Sequence, residues 1–439
     1  MRMLKDREGP TAHCMSPRAG LEALSITPVV GSTRAPAAAG SFTLALLLVT
    51  SLLISGCGGG SGSGNVGGDP AAANAAPQAR ALSAPAALGQ KIFHDVSLSA
   101  SGRQSCASCH SPSQAHGPDN GLAVQLGGAI LDQQGRRSSP SVNYLSLNAA
   151  FHFEADGTPT GGFFWDGRAT SLQEQAGQPL LGATEMANAN KAEVVAKLAR
   201  AGYADEFKRL FGADILSRPD DAFDRLTLAL AQYQREDTDF RPFSSKYDEF
   251  LRGSARLSDA ELRGLALFNS PSKGNCAACH PSAKATDGSF PLFTDFSYDN
   301  LGVPRNPAIA RNADPNYFDL GLCERPELAQ RTDLCGAFKV PSLRNVAQRQ
   351  ALFHNGRFGT LKEALSFYVQ RDTDPAKWYP LNADGTVAKF DDLPPQFKAN
   401  VNTREAPYNR RPGEAPALSD ADIDDVIAFL KTLSDGYRP

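Results

Sequence analysis

Two short motifs in the sequence place a histidine directly after a pair of cysteines. They read Cys106-Ala-Ser-Cys109-His110 and Cys276-Ala-Ala-Cys279-His280. This spacing is typical of covalent c-type haem attachment, in which the two thiols bond to the haem and the histidine ligates the iron. A thioredoxin-like redox pair and half of a zinc site are the alternatives, but neither explains a histidine in the same place twice. The sequence therefore predicts two covalently bound haems c.

The second ligand of each iron decides whether a haem only transfers electrons. An electron-transfer haem usually carries a second strong ligand, most often methionine or histidine. The chain has four methionines, of which Met1, Met3 and Met15 belong to the predicted leader, so only Met186 is left. Methionine ligation of both irons is therefore excluded.

An internal repeat supplies other candidates for the second ligand. Residues 164–168 and 171–174 match residues 353–357 and 360–363, and Pro140-Ser-Val matches Pro341-Ser-Leu. The first copy carries an insertion of about a dozen residues around 152–162. We therefore expect two cytochrome-c-like haem domains that arose by duplication.

The repeat pairs a tyrosine with a proline. Fourteen residues after His354 stands Tyr368, and fourteen residues after Trp165 stands Pro179. If the copies superpose, a tyrosinate closes one iron, whereas the proline cannot ligate and leaves the other open to peroxide. The alternative is that Tyr368 only packs in the core, as many tyrosines do.

An open haem that cleaves peroxide needs a group that moves a proton between the two oxygens. Glu185, six residues beyond Pro179, is the carboxylate that the sequence offers there. On its own this would be a weak indication, because most glutamates lie in solvent.

Local signals predict a mainly α fold with long loops rich in proline and glycine. Ser258 and Glu261 form a capping-box pattern that opens one helix. Ser419 is the expected N-cap of the last helix, and Gly436 is its expected end. Two further amphipathic helices are predicted over residues 190–210 and 220–233.

The N-terminal segment predicts export. An apolar run over residues 44–54 leads into Ile54-Ser-Gly-Cys57, a pattern typical of lipoprotein cleavage, although an ordinary secretory signal would also fit. The expected location is the periplasm, with a lipid anchor on Cys57. The predicted organisation is a signal peptide over 1–57, a flexible linker over 58–85, a peroxidatic haem domain over 86–245 and a second haem domain over 246–439.

Two of the eight cysteines, Cys323 and Cys335, belong neither to the leader nor to the haem motifs. In an oxidising compartment, two such cysteines that close a short loop are expected to form a disulfide.

In combination, the motifs resemble the bacterial di-haem cytochrome c peroxidase and MauG family. The resemblance covers residues 88–437 and is carried by both haem motifs, residues 88–93, 164–168, 174–175, 185–186 and 340–345. It implies that peroxide binds at the haem of His110 and that Glu185 is the catalytic glutamate. It also implies that Gln175 and Pro179 line the distal pocket and that Trp165 relays electrons between the haems.

Tyr368 resembles the MauG side of this family, whose members oxidise residues of a partner protein through a charge-delocalised bis-Fe(IV) state. Relatives that accept electrons from a small cytochrome usually have methionine there, and often a distal histidine near the position of Gly127. Residues 367–375 and 378–380 resemble more specifically the MbnH subgroup, which oxidises tryptophan on a partner.

The resemblance implies two further features. His354 is expected to lie near the second haem as a hydrogen-bonding group. A calcium ion, held largely by carbonyls and an asparagine, is possible between the domains, although this chain reads Ser138-Ser139-Pro140 where Asn-Ser-Pro is usual. His116 is expected to be either a solvated loop residue or a group that swings over an iron.

Three functions remain for such a chain. The first is a protein-modifying di-haem oxidase, the second a peroxidase that detoxifies peroxide with electrons from a small cytochrome or cupredoxin, and the third a non-catalytic electron-transfer cytochrome. Glu185 and the open iron argue against the third. The net charge of −3 gives no basic surface signal for nucleic acid.

Overall fold

The computed structural model describes residues 81–439. The predicted signal peptide, the lipidation site Cys57 and most of the predicted linker lie outside the described residues. The first helix begins at Ala84, where Ser83 caps it by accepting a hydrogen bond from the backbone N–H of Ala86. Within residues 81–439, every helix is too short or too polar to cross a lipid bilayer.

The described part of the chain is mainly helical, as the sequence predicts. Its α-helices are α1 (Ala84–His94), α2 (Cys106–Cys109), α3 (Leu172–Leu181), α4 (Lys191–Leu198), α5 (Ala204–Phe211), α6 (Pro219–Glu236), α7 (Lys246–Arg252), α8 (Asp259–Asn269), α9 (Leu361–Gln370) and α10 (Asp420–Lys431).

The described residues also contain short 3-10 helices and three small antiparallel sheets of two strands each. The sheets pair β1 (Leu126–Gly127) with β2 (Gln133–Gln134), β3 (His152–Phe153) with β4 (Pro159–Thr160), and β5 (Tyr298–Asp299) with β6 (Phe338–Lys339). The β3–β4 hairpin lies where the sequence repeat has its insertion.

The helix-start signals are confirmed, but one helix end is wrong. Ser258 and Glu261 form the capping box of α8, and Ser419 caps α10. However, α10 ends at Lys431, five residues before Gly436. The reason is local, because the backbone N–H groups of Thr432 and Leu433 donate to the carbonyls three residues back, those of Phe429 and Leu430, so that the last turn tightens and the α-helix ends.

The helix predicted over residues 190–210 is two helices, α4 and α5. The chain turns between them around Gly202, a residue with low helix propensity. The prediction over residues 220–233 is confirmed, since α6 spans Pro219–Glu236 and has its proline in the first turn.

Two large hydrophobic clusters pack these helices. The first cluster joins α1, α3, α4, α5 and α6, and the second joins α7, α8, α9 and α10. The largest fully buried side chains of the first include Phe207 and Phe240, and those of the second include Phe268, Phe293 and Phe429. The two sets of helices are therefore packed around two separate hydrophobic cores.

One close helix crossing stands in each cluster, and both depend on a glycine. A Cβ on Gly89 of α1 would lie 2.0 Å from the carbonyl oxygen of Ala229 in α6. A Cβ on Gly264 of α8 would lie 2.0 Å from the carbonyl oxygen of Asp425 in α10. Each crossing fixes the helix that precedes one of the two Cys-x-x-Cys-His motifs.

The turns that lead into α3 and α9 also match. Phe164 has φ of 66° and Phe353 has φ of 67°, and each turn is closed by an isolated bridge, Phe163 with Ala169 and Leu352 with Phe358. Ser171 then caps α3 and Thr360 caps α9. The same local fold thus presents Pro179 in one half and Tyr368 in the other.

Cys323 and Cys335 form a disulfide whose Cα atoms are 4.9 Å apart. It lies in a third hydrophobic cluster with Tyr298, Leu322 and Leu334. A crosslink that closes a loop of this length stabilises a fold by roughly 3 kcal/mol, chiefly by restricting the unfolded chain.

Candidate functional site

Two cavities contain the predicted haem-site residues, and each surrounds one of the two Cys-x-x-Cys-His motifs. The first has a volume of about 420 Å³ and the second about 200 Å³. The first is lined by Cys106, Cys109, His110, Gln175, Pro179 and Glu185. The second is lined by Cys276, Cys279, His280, His354 and Tyr368. Trp165 lines both cavities.

His110 is held in one tautomer by the backbone. The backbone N–H of His110 donates to the carbonyl of Cys106, 2.9 Å away. The ring Nδ1 lies 3.2 Å from the carbonyl oxygen of His116. A carbonyl accepts only from Nδ1–H, which leaves Nε2 free to bind a metal. Burial lowers the pKa of His110 to about 4, so the ring is neutral at pH 7.

His280 repeats this arrangement in the second cavity. Its N–H donates to the carbonyl of Cys276, 2.9 Å away, and its Nδ1 lies 2.7 Å from the carbonyl oxygen of Phe293. Burial lowers its pKa to about 4 as well. Each motif therefore places cysteine side chains and a neutral, oriented imidazole on the wall of a cavity, which fits a haem c.

A zinc site fits less well. Among residues 81–439, no group of three or more His, Cys, Asp or Glu side chains is arranged to hold a metal ion. The remaining half of a zinc site, which this alternative requires, is therefore missing from the described part of the chain.

His116 corrects the sequence prediction. It is neither solvated nor placed over a cavity, because its side chain is buried and its ring stacks on Phe240 with 3.9 Å between centroids. Its Nδ1 lies 2.8 Å from Oδ1 of Asn143. The ring therefore anchors the turn whose backbone carbonyl orients His110.

Gln175 and Pro179 lie one turn apart on α3 and line the first cavity together. Gln175 is buried. Pro179 carries no group that could ligate an iron, and it also lacks a backbone N–H. This side of the first cavity therefore offers an amide and an apolar ring but no metal ligand.

Glu185 reaches the first cavity from a tight turn after α3. Its N–H donates to the carbonyl of Gly182, and its own carbonyl accepts from the N–H of Gly128, at 2.9 and 2.8 Å. Gly182 leaves room for the carboxylate, since a Cβ there would lie 2.2 Å from Oε2 of Glu185. Burial raises the pKa of Glu185, and the nearby charge of Arg168 partly offsets this shift. The residue keeps an exposed surface because it faces the cavity.

Gly127 explains why no distal histidine stands beside this turn. A Cβ on Gly127 would lie 2.2 Å from the carbonyl oxygen of Thr184 and 2.7 Å from Cα of Glu185. A histidine at this position would clash with the turn that carries Glu185. The glycine and the placement of the glutamate are therefore linked.

Trp165 is fixed between the two cavities by its polar atoms. Its indole Nε1 donates to the carbonyl of Ser138 at 2.7 Å, and its carbonyl accepts from the N–H of Lys339 at 2.8 Å. Both partners belong to other segments of the chain. The indole is therefore oriented by tertiary contacts rather than by its own loop.

Tyr368 projects from α9 into the second cavity. Its ring lies 5.4 Å from the ring of Phe353 and 5.9 Å from the ring of Tyr408, measured between centroids. Within residues 81–439 its hydroxyl makes no hydrogen bond. Burial raises its pKa further above the usual range, so a bound cation would be needed to hold it as a phenolate at pH 7.

The comparisons with known proteins agree with this geometry. A family model described as di-haem cytochrome c peroxidase matches residues 83–256. The methylamine utilization protein MauG of Paracoccus denitrificans is 39% identical over 377 residues, which is 84% of this chain and 93% of that protein. This chain belongs to the di-haem cytochrome c peroxidase and MauG family.

Two further relatives show the breadth of the family. The di-haem peroxidase BthA of Burkholderia thailandensis has a crystal structure that is 40% identical, with a TM-score of 0.76 over 82% of this chain and 88% of that one. The cytochrome c551 peroxidase of Nitrosomonas europaea is 35% identical over 64% of this chain and 71% of its own length. The protein is therefore a haem peroxidase-type oxidoreductase with two haems c.

His354 was expected to lie near the second haem as a hydrogen-bonding group. It lines the second cavity, but its ring stacks on Phe338 with 3.5 Å between centroids and an angle of 8°. Within the described residues its ring makes no hydrogen bond. Burial lowers its pKa to about 3, so the ring is neutral at pH 7, and its hydrogen bond to a haem-bound group stays a prediction.

An ion-pair cluster beside Trp165 was missed by the sequence analysis. Arg137 donates two hydrogen bonds of 2.7 Å to Asp319 and one of 2.5 Å to Asp166, and all three side chains are buried. Asp166 also pairs with Arg168. Because the partners lie about 30 and 180 residues away in sequence, no local pattern indicates the cluster.

The second cavity also contains an aromatic residue that the sequence analysis missed. Tyr408 is buried against Tyr368, and the guanidinium of Arg371 lies 4.6 Å from its ring centroid. It is the neighbouring phenol that could compete with Tyr368 as a ligand.

The residues around Ser138 do not fit the calcium ion that the family resemblance implied. Such an ion needs about six to eight oxygen ligands. The carbonyl oxygens of Ser138, Ser139 and Gly162 already accept hydrogen bonds from Trp165, Arg349 and Lys339. Two of these donors, Arg349 and Lys339, are cationic side chains that would repel calcium.

Proposed function

We propose that this protein uses hydrogen peroxide to oxidise an aromatic residue of a secreted partner protein. The observation that carries the proposal is the contrast between the cavities. Tyr368 lines the cavity of His280, whereas Pro179 and Glu185 line the cavity of His110. The second cavity has a phenol available as a second ligand on the helix α9, whereas at the equivalent place on α3 the first cavity has a proline, with the acid–base group Glu185 nearby.

We infer that the two halves bind one haem each and arose by duplication. Cys106, Cys109 and His110 hold the first haem, and the equivalent residues of the second motif, Cys276, Cys279 and His280, hold the other. Support comes from the equal crossings at Gly89 and Gly264 and from the equal turns before α3 and α9. The proposed domains span residues 86–245 and 246–439.

When bound, the two haems supply the reduction of peroxide and store two oxidising equivalents. The protein supplies proton transfer and orientation. Glu185 accepts a proton from one peroxide oxygen and returns it to the other, which turns the departing oxygen into water. The buried amide of Gln175 would donate a hydrogen bond to peroxide, and Pro179, which has no ligating group, would leave the iron accessible to peroxide.

Trp165 and Tyr368 distribute the oxidising power. Trp165 lies between the cavities and carries an electron from the second site to the first. A tyrosinate ligand lowers the potential of an iron and so makes it easier to oxidise. The partner can then deliver electrons over a distance, without a substrate pocket beside either iron.

The alternative function is a peroxidase that removes peroxide with electrons from a small cytochrome or cupredoxin. It is favoured by the similarity to the cytochrome c551 peroxidase of Nitrosomonas europaea. A non-catalytic electron-transfer role would leave Glu185 and its shaped turn without a use. The MbnH-like subgroup stays a prediction, as do the periplasmic location and the lipid anchor at Cys57.

Glu185→Gln should slow the reaction of the holoenzyme with peroxide by a factor of about 10²–10⁴, because the amide cannot accept the proton. The rate follows from stopped-flow absorbance, and pyridine haemochrome analysis should still give two haems per chain. The exposed residue Glu154 provides the control, since Glu154→Gln should react normally. An unchanged rate in Glu185→Gln would remove this residue from the mechanism.

Tyr368→Phe should abolish the signal of one six-coordinate ferric haem in electron paramagnetic resonance, because phenylalanine cannot ligate iron. Tyr408→Phe, which removes the neighbouring hydroxyl, should keep that signal. The opposite pattern would make Tyr408 the ligand. Spectra unaffected by Tyr368→Phe would mean that Tyr368 is not a ligand and only packs in the core.

The choice between the two enzymatic functions depends on the electron donor. The holoenzyme should be mixed with peroxide and, in separate reactions, with a reduced small c-type cytochrome or with purified secreted proteins encoded beside its gene. We expect peptide mass spectrometry to find a modified tryptophan or tyrosine in one secreted protein, and Glu185→Gln to suppress it. Rapid oxidation of the cytochrome alone would favour the peroxidase.

A further inference from the structure

Lys339 is a cationic side chain between the two cavities that the mechanism above does not use. It ends strand β6 and lines both cavities. Its backbone N–H donates to the carbonyl of Trp165 at 2.8 Å, and its Nζ donates to the carbonyl of Gly162 at 2.7 Å. One residue thus binds both ends of the four-residue segment that presents the indole.

No carboxylate neutralises this ammonium. Lys339 forms no ion pair within the described residues. The negative charge of Asp166 acts on it, but Asp166 already pairs with Arg137 and Arg168. Burial lowers the pKa of Lys339 to about 7. A cation at such a position is costly unless another negative group compensates it.

When bound, haem c would supply the missing negative charge, because each haem carries two propionate carboxylates. Lys339 lines both cavities, so a carboxylate of either bound haem could pair with it. Arg349, whose guanidinium donates to Ser139 O at 2.8 Å and lies on the wall of the first cavity, adds a second cation to the same region.

We infer that the ammonium of Lys339, compensated by a haem carboxylate, supplies positive charge between the two haem sites, and that this chain positions Trp165 without calcium. The carbonyl oxygens of Ser138, Ser139 and Gly162 accept hydrogen bonds from Trp165, Arg349 and Lys339 instead. The lysine is covalently part of the chain, so a chelator cannot remove it. This inference holds whichever substrate the enzyme oxidises.

The first test is metal analysis of the wild-type holoenzyme. Elemental mass spectrometry should find two iron atoms and less than about 0.1 calcium ion per chain. Treatment with the chelator EGTA should leave the haem spectra and the unfolding temperature unchanged. One calcium per chain, or spectra that change on chelation and recover with calcium, would overturn the inference.

The second test removes the charge. Lys339→Met should lower the reduction potentials of both haems, since loss of a nearby positive charge disfavours the reduced state. Lys339→Arg should keep both potentials close to wild type. Lys208→Met is the matched control, because Lys208 pairs with Asp205 at the surface and lines neither cavity in the described part of the chain, so its loss should change neither potential.

Potentials that stay unchanged in Lys339→Met would contradict the inference even if the enzyme were active. If Lys339→Met fails to bind haem, Lys339→Arg and the metal analysis still decide the question. Because these measurements need neither peroxide nor a partner, their outcome is separate from that of the proposed function.

Discussion

The hydrogen bonds that hold Trp165 between the cavities are the constraint on which the rest of the site depends. Ser138 accepts from the indole at 2.7 Å, and Lys339 donates to the backbone of Trp165 at 2.8 Å. Asp166, the next residue, is tied to Arg137, which also binds Asp319. These contacts join segments that are far apart in sequence, so the bridge between the haem sites exists only once both halves have folded.

Burial sets the protonation states that the chemistry requires. His110 and His280 are neutral because burial lowers the pKa of each to about 4, and backbone carbonyls select the tautomer that leaves Nε2 free. The same effect raises the pKa of Glu185, which suits a group that accepts and returns a proton. Burial therefore lowers the pKa of the two histidines and raises that of the glutamate, because it disfavours the charged form of each group.

Local sequence signals correctly predicted the features that depend on interactions within one helical turn. Ser258 and Ser419 marked helix starts correctly because a cap acts within one turn, and the repeat placed Tyr368 and Pro179 on equivalent helices. The helix end predicted at Gly436 was wrong, because the backbone already changes to hydrogen bonds three residues back at Thr432 and Leu433. His116 and Lys339 could not be assigned from sequence, because their roles depend on Phe240, Asn143 and Gly162, which only tertiary packing brings to them.

The central claim is that Trp165 makes the two haem sites act as one. The most direct measurement is freeze-quenched electron paramagnetic resonance after one equivalent of peroxide, on wild type, Trp165→Phe and the control Trp378→Phe. In wild type and Trp378→Phe both ferric signals should decline together, whereas in Trp165→Phe only the signal of the His110 haem should decline promptly. A joint decline at the wild-type rate in Trp165→Phe would contradict this claim.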